Sequence, residues 1–283
     1  DIPQALYDLV GSGTTDSQTN VTDPDFDIPS EWKYSTGLTY TTESEYVINA
    51  DFLYSRKQDS AIITDLALAQ TGTAPDGRPV YTSTRGQNND FMLTNKKGSD
   101  AKAAVYSLGV TKTFDNGIDA ALGYAYTNAK DVSPMGSSVA FSNYHFVATS
   151  DPQNLEVATS NYEIPQRVTL NVGYSHEFFA GYETRFSVFA QAVKSNAYGY
   201  TFDRSSSGLG FNDASRQLLY VPTLDDSKVV FATPADEVAF NNFIDEQGLS
   251  GYRGKIMPRN DLDGSWWNKF DVRVEQQFAG FSA

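Results

Sequence analysis

A chain of 283 residues with net charge −14 can form one sizeable barrel or bury a large core, and its 35 Asp and Glu against 21 Lys and Arg argue against binding nucleic acid phosphates. The absence of cysteine removes disulfides and thiolate metal sites. With 17 Tyr and 18 Phe beside 3 Met and 11 Pro the composition favours strands, and no apolar run reaches the roughly eighteen residues of a transmembrane helix. A strand barrel leaves that window blank as well, because only alternate residues meet lipid.

Asp1-Ile-Pro has neither the basic start nor the apolar stretch of a signal peptide, so the chain reads as cut from something longer. Ile2, Ala5, Leu6 and Leu9 have helical spacing within Ile2 to Val10, and Gly11 to Asp23 reads as a Gly, Ser and Thr loop. Residues 1–29 are expected to be an extracellular loop segment. From Ser30 a period of two begins: Trp32, Tyr34, Leu38 and Tyr40 share one face, and Glu31, Lys33, Ser35 and Gly37 the other. Thr42-Glu-Ser44 turns the chain, and Tyr46, Ile48, Ala50, Phe52 and Tyr54 return opposite Asn49, Asp51 and Ser55. Lys57 to Asp100 breaks the alternation with Gly and Pro clusters and reads as a long, partly structured loop.

Ala104, Tyr106, Leu108, Val110 and Phe114 then pair with Ile118, Ala120, Leu122, Tyr124 and Tyr126 across Asp115-Asn116-Gly117. Asn-Gly between alternating apolar runs is a strong hairpin signal. Lys130 to Glu163 is again loop-like. Val168, Leu170, Val172, Tyr174 and Phe178 alternate with polar or small residues, turn at Phe179 to Tyr182, and continue with Phe186, Val188, Ala190 and Ala192. After Ser195 comes the longest excursion. Within it Pro234-Ala-Asp-Glu237 starts a helix, with Val238, Phe243 and Ile244 on one face and Gly248 as its stop. The last strand sets Trp266, Phe270, Val272, Val274 and Phe278 against Trp267, Lys269, Asp271, Arg273, Glu275 and Gln277.

About seven long strands result, joined by alternately short and very long connections. A soluble sheet with one buried face also alternates. The unequal connections, the charges Lys269, Asp271, Arg273 and Glu275 along one face, and aromatics near both strand ends favour a transmembrane antiparallel β-barrel with extracellular loops. Tyr40, Tyr46, Phe114, Phe178 and Phe278 would form one belt, and Trp32, Tyr34, Tyr54, Tyr124, Tyr126 and Trp266 the other. Residues 30–283 are therefore expected to hold barrel strands and their loops, with those four charges facing a wet lumen.

Five segments carry a resemblance: Asp23 to Tyr34 (DPDFDIPSEWKY), Pro75 to Tyr81 (PDGRPVY), Arg216 to Pro222 (RQLLYVP), Tyr252 to Asn260 (YRGKIMPRN) and Trp266 to Glu275 (WWNKFDVRVE). Together they resemble the C-terminal barrel region of Oar-like TonB-dependent outer-membrane receptors, over most of the chain from Asp23 onward. In that family a carboxypeptidase-regulatory-like domain, a plug with a TonB box and a barrel of about twenty-two strands form one chain. The present sequence contains no plug or TonB-box segment and too few strands to close such a barrel, which implies a portion of a larger one. The resemblance implies as partners outer-membrane lipid and lipopolysaccharide, the remaining barrel and plug, the TonB complex through that plug, and an unidentified transported ligand.

Enzymatic chemistry finds little support. His145 and His176 stand apart, so neither a triad nor a histidine metal site is expected, and no cofactor is. Asp23, Asp25 and Asp27, Asp261 and Asp263, and Asp225-Asp226 read as solvated loop acids, without the twelve-residue calcium-loop pattern. Gly208-Leu-Gly210 precedes no Lys-Ser/Thr pair and is no phosphate loop. Tyr198, Tyr200, Phe202 and Tyr220 are candidates for a ligand-facing aromatic platform, against the alternative that neighbouring loops pack them. The expected function is passage or capture of a solute or polypeptide at the outer membrane, the alternative a barrel-anchored binding or adhesion protein.

Overall fold

The computed structural model describes residues 18–86, 89–99, 101–179, 181–202 and 216–280, with Gln4, Asp8 and Gly11. Most of the helix expected over Ile2 to Val10, and all of Gly208 to Gly210, lie outside the described residues. In chain order the strands are β1 (Thr19–Thr22), β2 (Ser30–Thr41), β3 (Val47–Gln58), β4 (Ser60–Asp65), β5 (Leu68–Thr73), β6 (Pro79–Ser83), β7 (Asp90–Lys96), β8 (Lys102–Thr113), β9 (Ile118–Asp131), β10 (Ala158–Thr159), β11 (Gln166–Phe179), β12 (Tyr182–Lys194), β13 (Tyr220–Val221), β14 (Lys255–Ile256) and β15 (Trp266–Gln276). Among the described residues two α-helices, α1 (Ala140–His145) and α2 (Pro234–Glu246), and a short 3-10 helix (Leu249–Tyr252) lie in the connections. The protein is all-β, and its sheets are predominantly antiparallel.

The seven long strands form one sheet in the order β15-β12-β11-β9-β8-β3-β2, with β10 added beside β9. Every neighbour on that path is antiparallel. Among the described residues β2 pairs with β3 alone and β15 with β12 alone, so the path has two ends. Twelve residues, the length of β2, β3 and β8, extend about 40 Å, which at a 45° tilt projects to about 28 Å, the scale of a bilayer's hydrocarbon.

Register keeps like with like. Phe270, Ala190, Leu170, Leu122, Val110, Ile48 and Tyr40 form one row across all seven strands, and each is exposed or half-buried. One residue along, on the opposite face, run Lys269, Gln191, Thr169, Gly123, Gly109, Asn49 and Thr39. A slip of one residue would exchange the two faces.

The short turns share one end of the sheet. At Asp115-Asn116-Gly117 the Phe114 amide donates to Ile118 O at 2.7 Å and the Gly117 amide to Phe114 O at 3.2 Å, with Gly117 at φ +84°. A left-handed third residue is what a three-residue hairpin loop requires. A Cβ on Gly117 would also strike the Ser175 carbonyl of the neighbouring strand.

The hydrophobic cores lie at the other end, in the connections. Ile62, Ala101, Val132, Val147 and Leu155 form one cluster; Ile63, Phe91 and Tyr144 a second; Leu219, Val221, Ile244, Leu249 and Met257 a third. Of the buried apolar residues described, only Val193 sits on one of the seven long strands.

Lys57 to Asp100 is accordingly more ordered than its sequence suggests. β4 pairs antiparallel with β7, β1 adds to β7 in parallel, and β5 and β6 form a hairpin around Asp76-Gly77. These strands are short and their partners distant, which erases the periodic signature. Between Lys130 and Glu163 the chain likewise forms α1 and β10. The expected helix is α2, opened by a capping box between Thr233 and Asp236 and followed by Gly248 at φ +68°. Ile244 is buried and Phe243 packs on the third cluster, but Val238 points away, 60% exposed.

Candidate functional site

Two places carry chemistry: the charged face of the sheet and the layer of connections above it. On the sheet, Lys269 pairs with Asp271 at 2.8 Å and Arg273 with Glu275 at 2.5 Å, all four side chains being largely open. Such pairs contribute at most about 1 kcal/mol each to stability. Arg185 reaches across β11 to Asp119 at 2.7 Å and to the Ser175 hydroxyl at 3.2 Å. Gly173 lies between them, where a Cβ would meet Asp119 Oδ2 at 2.7 Å and Arg185 Nη2 at 2.6 Å. Gly37 opens similar room for the Asp51 carboxylate, which the Ser107 hydroxyl approaches at 3.3 Å.

Aromatic rings pair along the opposite face, at mid-strand as well as toward the ends. Tyr34 lies 6.3 Å from Tyr54, Phe52 is 4.8 Å from Tyr106, and Tyr106 is 6.2 Å from Tyr126. Beside the short turns Tyr46 meets Phe114 edge-on at 6.5 Å, with Lys112 Nζ 4.7 Å from one ring centre and 5.1 Å from the other. His176 lies between Tyr174 and Phe178, at 6.0 and 4.6 Å. Both polar side chains thus sit over rings at the edge of the apolar band.

The connections are fastened by arginines. Arg78, fully buried, pairs with Asp76 at 2.7 Å, donates to Leu218 O at 2.8 Å and Gln217 Oε1 at 3.4 Å, and lies 5.3 Å from the Phe202 ring centre. Arg216 donates to Val147 O at 3.2 Å and lies 4.5 Å from the centre of Tyr144. Arg253 ties Pro222 O, Asn241 Oδ1 and Asp245 Oδ1 together at 3.1, 2.8 and 3.3 Å. Arg259 pairs with buried Asp131 at 2.7 Å and also donates to the Asp131 carbonyl at 3.0 Å. A guanidinium has five donors in a planar fork, so one side chain satisfies several buried carbonyls. The sequence reading did not single these four out, yet each lies in a segment that carried the resemblance.

The four candidate aromatics do not make one open platform. Tyr198 is partly exposed and meets Tyr200 edge-on at 5.9 Å. Tyr200 packs on Phe243 at 5.2 Å and donates its hydroxyl to Gln247 Oε1 at 2.8 Å. Phe202 packs on the third cluster beneath Arg78, and Tyr220 is only 5% exposed. Neighbouring segments pack Tyr200 and one side of Phe202 and Tyr220. Burial and a 2.7 Å bond to Asp226 push the Tyr220 hydroxyl up to about 12, and that bond, first among several, holds the Asp226 carboxyl below its ordinary value. Phe202 and Tyr220 instead form part of the wall of a cleft of about 490 Å³, bounded also by Leu219, Pro222, Val230 and Phe231.

The remaining acids serve the loops. Asp23 accepts from Thr94 at 2.5 Å and Asp25 N at 3.0 Å, which depresses its ionisation range, while Asp263 pairs with Lys194 at 2.6 Å and Asp261 accepts from Tyr252 at 2.8 Å. Comparison with protein-family models, curated proteins and solved structures returns no match.

Proposed function

We propose that this chain supplies strands and outer loops of a larger transmembrane β-barrel of about twenty-two strands in a Gram-negative outer membrane, working as a TonB-dependent receptor that passes or captures a solute or polypeptide. The observation that carries the reading is the distribution of apolar surface. Phe270 and Val272 are 72% and 73% exposed in the middle of β15, and apolar residues continue that face across seven strands, whereas the cores lie in the connections. A sheet in water buries such a face; a barrel turns it to hydrocarbon. The charged face is suited to a wet lumen, and the two strands that pair on one side only among the described residues call for further strands, because unpaired groups in lipid cost several kcal/mol each.

The long connections would face outward and the short turns the periplasm. With single cysteines placed in the complete protein on intact cells, an impermeant maleimide should label position 230 but reach position 116 only after the envelope is opened. Labelling of position 116 alone, or of both equally, would overturn this orientation. A barrel-anchored binding protein without transport is the second reading, favoured by the packed cores that the connections build for themselves. Removing TonB separates the two, since only transport would then stop.

A further inference from the structure

The 490 Å³ cleft shares the ridge Val229-Val230-Phe231 with a second cleft of about 400 Å³, whose walls include Asp225, Asp226 and Glu237. The first is lined mostly by apolar groups, among them Pro75, Leu219, Pro222, Phe202 and Phe240, with Asp76 and Lys228 as its charged residues; the second is acidic. Phe231 packs on Phe240 at 5.8 Å, but the crest of the ridge is open: Val230 is 93% exposed, and Leu224 nearby is 67% exposed. Its framework is firm, however. Asp226 accepts from the Tyr220 hydroxyl, the Thr223 amide and the Lys228 amide at 2.7, 3.2 and 3.0 Å, and α2 is capped just beyond the ridge. An apolar hollow and an acidic hollow on either side of one exposed valine are complementary to a ligand with an apolar side chain beside a cationic one.

We infer that this double cleft captures a cationic, apolar polypeptide segment, an aromatic or aliphatic side chain entering the apolar hollow and an adjoining Lys or Arg meeting Asp225 and Glu237. The inference deepens the surface-capture reading and rests on it. Charge complementarity selects the occupant: Asp225, Asp226 and Glu237 line the second cleft with no cation among its lining residues, while in the first Asp76 is paired with Arg78 and Lys228 holds its ammonium 5.5 Å from the Tyr220 ring centre. A neutral apolar ligand would use only half of the site.

The test is a fluorescence-anisotropy titration of the complete protein in detergent, using labelled decapeptides with a central Lys-Phe-Lys, Gln-Phe-Gln, Glu-Phe-Glu or Lys-Ser-Lys. The Lys-Phe-Lys probe should bind about tenfold tighter than the Gln-Phe-Gln or Lys-Ser-Lys probe and weaken as salt rises. Val230→Ser should cost about fivefold through lost apolar contact, and Asp225→Asn with Glu237→Gln should abolish the preference for Lys over Gln. Asn is tolerated at the left-handed φ of +57° held by Asp225, so that change leaves the turn intact. Equal affinity for the Lys and Gln probes, or indifference to both sets of changes, would overturn the inference in favour of a neutral apolar ligand. No binding while position 230 labels on cells would sink the inference and leave the outer-membrane reading standing; failure of labelling would sink the latter.

Discussion

Arg259 and Asp131 show how a single pair can hold distant segments together. Their side chains are 6% and 7% exposed, 128 residues apart in sequence, and joined at 2.7 Å. Removing one partner strands a buried charge, so Arg259→Met should cost about 3–5 kcal/mol, and adding Asp131→Leu should recover most of it. The onset of protease cleavage between residues 132 and 165 on heating measures both. Tyr220 and Asp226 form a pair that depends on pH. Because the Tyr220 hydroxyl is pushed up from 10.0 to about 12, its contribution is complete below pH 10 and is lost as pH rises through about 12. Asp226 is held below 3.8, so its contribution is present above that value and is lost as pH falls through the lower folded value. Tyr220→Phe should return the Asp226 carboxyl toward its ordinary range, as read by carboxyl NMR, and remove one late-titrating group from the ultraviolet tyrosinate titration. Such pairs leave no periodic mark, so Arg78, Arg216, Arg253 and Arg259 were visible only as members of the segments that carried the resemblance, without a role.

At the scale of the element, β15 is where the alternation was most legible and where it is most easily tested. Val272 stands opposite Val188 on the apolar face and Arg273 opposite Ser187 on the polar one. In lipid, Val272→Arg should cost about 2–4 kcal/mol at midplane depth and impair assembly, while Arg273→Gln should leave folding intact. Heat-modifiable migration of the complete protein reads the difference, and equal damage from both changes would mean that protein covers both faces. The turns provide a second comparison. Glu45 holds φ +63° in the β2–β3 turn where Gly117 holds +84° in the β8–β9 turn. Glu45→Gly should stabilise by about 1 kcal/mol, read from the unfolding midpoint in urea, since a left-handed conformation costs a side-chain-bearing residue about that much. Long strands are legible because each residue reports which face it occupies. β4 and β7 are not: Ile62 and Ile63 are adjacent and feed two different clusters, so neighbours are both buried and the period of two disappears.

Among the described residues, the long sheet has no core of its own and the connections have three. What the sequence revealed was the sheet, since its surroundings impose a pattern on every strand; the layer above it is built from contacts across tens of residues, as between Arg78 and Leu218. For the same reason the sequence left the four aromatics between a ligand platform and packing by neighbouring loops; in space Tyr200 meets Phe243 and Phe202 meets Arg78, while Phe202 and Tyr220 also line the larger cleft. Six antiparallel pairings link β2 to β15, so these two edge strands run in the same direction. Joining them directly would make a parallel seam, and a second copy set upright beside the first would meet it with a parallel seam too. A cylinder whose every seam is antiparallel therefore needs an odd number of additional strands between these edges, the first and last of them running from the short-turn end toward the long connections.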